Sequence, residues 1–138
     1  MNLLNGLKPR PVHYEVYVEC IQSLTTLIAT TTEGDFTKAE AENNLVWILR
    51  YAGLWSTEAL SLASQYDQIS SIIIAHWYAA GLYNIGFVGE RWWFWREQPV
   101  LMIREVSDSL GKEWDAWMEW PLSILANSPL TTMTFTPR

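Results

Sequence analysis

The chain has 138 residues, the length of one domain with a sizeable core. Apolar residues make up 49% and charged ones 17%, a globular balance with little charge. The net charge is −6 and the nine basic residues are scattered, which disfavours nucleic-acid binding because phosphate recognition needs clustered Lys and Arg.

Residues 1–9 read as a lead-in, and MNLLNGLKPRP has no apolar run of the kind a signal peptide needs. Pro11 suits the first position of a helix. Tyr14, Tyr17, Val18, Ile21, Leu24, Thr25 and Ile28 then keep helical spacing, with Glu15, Glu19 and Gln22 opposite. This helix should end in the Thr30–Thr32 run before Gly34, where β-branched residues weaken helix. A strand over 24–32 is the less favoured reading. Cys20 is the only cysteine, which fits a reducing compartment and reads as a small buried hydrophobe.

Thr37 and Glu40 fit a capping box at the start of a second helix. Leu45, Ile48, Leu49 and Ala52 mark its inner face, and Gly53 its stop. A short third helix is expected from Ser56 to about Tyr66.

No Asp, Glu, Lys or Arg occurs between Asp67 and Glu90. Within this stretch Ile69, Ile72, Ile73, His76, Ala80 and Tyr83 fall on one side of a helix and Ile74, Tyr78 and Leu82 on the other. A helix apolar nearly all round is buried in a domain or a membrane. Gln68, Ser70, Ser71, His76, Asn84 and the glycines lower its hydrophobicity, so a soluble core helix is preferred to a membrane span. It should begin near Asp67 and turn after Ile85 at Gly86.

Glu90–Gln98 is a short aromatic segment containing Trp92-Trp93-Phe94-Trp95. Pro99 can open the next helix, which carries Leu101, Met102, Ile103, Val106 and Leu110, with Arg104, Asp108 and Lys112 on its wet face. Gly111 should break it. A last helix is expected from about Lys112 to Ala126, with Trp114, Trp117, Met118, Pro121 and Leu125 on one face. Pro121 should kink or restart it. Residues 128–138 read as a loose tail.

The fold class implied is all-α: a compact, non-repetitive bundle of five to seven helices around a central apolar helix over residues 68–85, in one domain. The sequence carries no phosphate loop, paired-Cys spacing or His-Glu-x-x-His, so neither metal nor cofactor is expected. His76 reads first as a core histidine bonded to a carbonyl or tyrosine. If a ligand pocket exists, His76 and Tyr83 are its first candidates. Glu113, Asp115 and Glu119 read as the polar side of an amphipathic helix rather than as paired catalytic carboxylates.

Nine tryptophans require an explanation. On either helix or strand, Trp92, Trp93 and Trp95 cannot all face one way, and Glu90, Arg91, Arg96 and Glu97 flank them. Such a cluster is a candidate partner site, with Arg96 placed to stack on Trp92. Core filling is an equally open reading. The expectation is a small, cytoplasmic, non-enzymatic interaction protein that binds a protein partner or itself through a Trp/Arg-rich surface. A ligand binder or enzyme near His76 and a membrane-associated protein are the alternatives.

Overall fold

The computed structural model describes residues 14–53, 55, 61, 67–88 and 97–127. Among them the chain forms α1 (Tyr14–Thr32), α2 (Lys38–Gly53), α3 (Gln68–Ile85), α4 (Glu97–Ser109), a 3₁₀ helix (Lys112–Met118) and α5 (Glu119–Asn127), with no strand. The all-α class expected from the sequence is the one that forms. Of the expected third helix only Ser61 is described, and it is helical.

α3 is the centre of the bundle. α1, α2, α4 and α5 all pack on it, while α1 also touches α2 and α4 also touches α5. Ile72, Ala75, Ala79, Ala80 and Asn84 are shielded completely from solvent. A helix surrounded by others needs apolar residues on every side, which is the pattern of this stretch. Each fully buried Ile there contributes about 1.5–3 kcal/mol of transfer free energy. Asp67 caps the helix by accepting from the Ser70 amide at 3.2 Å. The same carboxylate oxygen accepts from the Tyr17 hydroxyl at 2.7 Å, pinning α1 to the start of α3. Burial, then this bond to a carboxylate, raises the Tyr17 pKa, so its hydroxyl stays protonated.

The threonine-rich end of α1 is helical to Thr32, not a strand. Thr25, Thr26, Thr30, Thr31 and Thr32 each donate their hydroxyl to the carbonyl four residues earlier, at 2.7–3.1 Å. These bonds satisfy the hydroxyls within the helix, which ends at Thr32, inside the run where β-branching places its end. Thr25, expected on the inner face, is exposed, whereas Thr31 is buried. Gly34 follows at φ 95, a left-handed conformation that favours glycine, and the chain turns into α2 there.

The capping box forms in both directions. The Thr37 amide donates to Glu40 Oε1 at 2.9 Å, and the Glu40 amide to Thr37 Oγ1 at 3.2 Å. α2 buries Ala41, Leu45, Ile48 and Tyr51, with Leu49 half-buried. Asn84 is the polar knot between three helices. Its Nδ2 donates to the carbonyls of Thr31 and Ala80, both at 2.9 Å, and its Oδ1 accepts from Asn44 at 3.0 Å.

Of the apolar residues that α4 carries, Leu101 stays 61% exposed. α4 turns Pro99, Val100, Ile103 and Val106 inward, and Leu101 lies off that stripe. The last helix does not run unbroken from Lys112. Its first seven residues are 3₁₀, beginning with the Trp114 amide on the Gly111 carbonyl at 3.0 Å. Trp114 and Trp117, three apart, lie on one side of a three-residue turn and are both half-buried. α5 restarts at Glu119, with Pro121 in its first turn, where a missing N–H costs least.

Among the described residues no helix is long and apolar enough to cross a membrane.

Candidate functional site

α2 has an inner and an outer face. With Ala41, Leu45 and Ile48 turned inward, the helical repeat turns Asn43, Val46, Trp47 and Arg50 outward. Trp47 is 54% exposed and Val46 42%. The Arg50 guanidinium lies 5.9 Å from the Trp47 ring centroid, within cation–π range. A large ring held against an arginine in water fills no core volume. Its apolar area is available to another molecule. This pair was not singled out in the sequence, yet it was legible there: residues 47 and 50 are what remains outside once Leu45 and Ile48 are assigned inside.

The Trp92, Trp93, Trp95 and Arg96 cluster lies outside the described residues. Its surface or core placement is therefore not part of this geometry.

His76 and Tyr83 lie two turns apart on α3 but meet different partners. His76 is buried, with Nδ1 2.8 Å from the Ile72 carbonyl and its ring stacked on Trp120 at 5.8 Å between centroids. A carbonyl partner makes Nδ1 the donor, so the proton sits there. Burial lowers its pKa and the bond to Ile72 opposes that only in part, leaving the ring neutral at pH 7. Tyr83 donates its hydroxyl to the Gly34 carbonyl and packs between Phe36 and Phe87. It clamps the α1–α2 turn.

An open groove of about 460 Å³ lies between α3 and α4, lined by Ser71, Ile74, Met102, Glu105, Val106 and Leu110 among others. Its size falls within the range of ligand clefts. Neither His76 nor Tyr83 lines it. Glu113, Asp115 and Glu119 are all exposed, on the 3₁₀ helix and the first turn of α5. Among the described residues no group of three or more His, Cys, Asp or Glu is placed to hold a metal ion. Cys20 is half-buried, and burial, reinforced by the Glu19 carboxylate, raises its thiol pKa, the opposite of an activated nucleophile.

Comparison with protein-family models, with curated proteins and with solved structures finds no match to this chain.

Proposed function

We propose that this chain is a small, non-enzymatic interaction protein that binds a protein partner or a second copy of itself through a tryptophan- and arginine-bearing surface. The observation that carries the reading is Trp47, more than half exposed and held against Arg50 on the outer face of α2. Trp and Arg are the residue types that dominate interface energies. The Trp92, Trp93, Trp95 and Arg96 segment is a second candidate region of the same chemistry, argued from its sequence alone. The described titratable side chains support binding better than catalysis: His76 is committed to a carbonyl and a ring, and Cys20 is raised rather than activated.

The test is a pull-down from the native host with wild type and the single variants Trp47→Ala, Trp92→Ala, Trp93→Ala and Trp95→Ala, each checked by thermal melt. At least one variant that stays folded should lose its partner. Equal capture by every folded variant would sink the proposal.

A further inference from the structure

On α2, Glu40, Asn43, Trp47 and Arg50 recur at i, i+3, i+7 and i+10, the spacing of one helical stripe, and all four are exposed. Glu40 stands in the first turn and Arg50 in the last, about 15 Å apart along the axis at 1.5 Å per residue. Trp47 lies between them, with exposed Val46 beside it. The stripe therefore has an acidic end at Glu40, an amide and an indole in its middle at Asn43 and Trp47, and a basic end at Arg50. The bonds from Thr37 keep the Glu40 carboxyl below its ordinary pKa, so the acidic end is charged at neutral pH.

Such a stripe is complementary to itself when reversed. With a two-fold axis level with Leu45, Arg50 of each copy faces Glu40 of the other, and Trp47 faces Asn43. A parallel copy would set Glu against Glu and Arg against Arg. A uniformly acidic partner would be repelled at Glu40, and a uniformly basic one at Arg50. Isologous two-fold pairing is also the commonest symmetry of protein assemblies.

Resting on the interaction reading above, we propose that the outer face of α2 is a self-association surface: a second copy of this chain docks on it antiparallel, with Trp47 of each copy against Asn43 of the other on either side of the axis and Arg50–Glu40 pairs at both ends. One helix face is small against the roughly 1,600 Å² of a standard complex, so the dimer is weak and forms at high concentration.

The test is sedimentation equilibrium of the full chain up to about 0.5 mM, a range that reveals even weak pairing. Wild type should show a monomer–dimer equilibrium. Arg50→Glu alone sets like charges together at both ends, and so does Glu40→Arg alone. Each should weaken association by about tenfold or more. An equimolar mixture of the two should associate again, because every end contact is then Glu with Arg. Glu40→Arg also removes the capping carboxylate, so Glu40→Gln, which keeps a capping oxygen, serves as the folded control and should weaken association by less. Wild type monomeric throughout, single variants that dimerise as wild type does, or a mixture that stays monomeric would each overturn the proposal. A monomeric wild type that still loses another partner on Trp47→Ala would overturn self-association alone and leave the interaction reading standing.

Discussion

Asn84 is the most consequential polar side chain in the described core, and replacing it tests how three helices are joined. It is fully shielded from solvent. The two carbonyls of Thr31 and Ala80 on one side and the Asn44 amide on the other allow its own amide only one orientation. The Thr31 carbonyl sits in the last turn of α1, where no intrahelical partner follows, and Thr31 is itself buried. Asn84→Leu keeps the approximate volume but strands that carbonyl and removes the acceptor for Asn44. A stranded buried group costs about 1–3 kcal/mol. Asn44 is half-buried and can turn partly to water, so the total expected is about 2–4 kcal/mol. Asn84→Asp goes further. It keeps the acceptor toward Asn44 but aims a carboxylate oxygen at two carbonyls, which raises its folded pKa above the ordinary value of about 3.9. The folded state then binds more protons than the unfolded one, and stability is lost as pH rises above about 4. The assay is the denaturant midpoint, for the Leu variant at pH 7 and for the Asp variant relative to wild type between pH 4 and 8. A Leu variant within about 0.5 kcal/mol of wild type, or an Asp variant with unchanged pH dependence, would refute the reasoning.

Further expectations concern the core, a cap and the buried histidine. Ile73→Ala should cost about 2–5 kcal/mol, and Trp77→Ala, at a half-buried site, about 2–4, read as denaturant midpoints. Ile73 is 2% exposed, and the Trp77 indole donates to the Ile48 carbonyl at 2.6 Å. Thr37→Ala removes the cap of α2 and should cost about 1 kcal/mol by thermal melt. His76 has a folded pKa below its ordinary value of 6.5, so the unfolded state binds the proton first. Its contribution is complete above pH 6.5 and is lost as pH falls below it, by at most about 1.4 kcal/mol per pH unit. His76→Gln should flatten that part of the stability profile, and an unchanged acid slope would show that His76 does not titrate this way.

The bundle was legible where several local signals agreed. Asp67, the charge-free run behind it and Gly86 bound α3, and all three act on the same backbone. Thr37 and Glu40 likewise place the start of α2. The threonine run marks the end of α1 at Thr32, and its β-branching left a strand as the rival reading until the packing of α1 decided for helix. The 3₁₀ segment escaped because Trp114, Trp117 and Trp120 are spaced by three, which suits a 3.0-residue turn and roughly suits a 3.6-residue one. On α4 the apolar residues adjoin one another in sequence, and only their helical spacing separates the inward Val100, Ile103, Val106 stripe from the exposed Leu101. At the site, contiguous tryptophans such as Trp92 and Trp93 are conspicuous in the sequence whatever side they face. Trp47 stands alone in the sequence, and its exposure follows only from which side of α2 the core takes.

The central claim is that tryptophans on this chain divide into one kind that holds the fold and another that meets a partner. The most direct measurement compares Trp47→Ala with Trp77→Ala, each by thermal melt and by association or partner capture. Trp47→Ala should melt within about 0.5 kcal/mol of wild type and lose about 2 kcal/mol or more of binding. Trp77→Ala should lose stability instead. If Trp47→Ala unfolds the protein, or stays folded and binds as wild type does, the outer face of α2 is not the interaction surface.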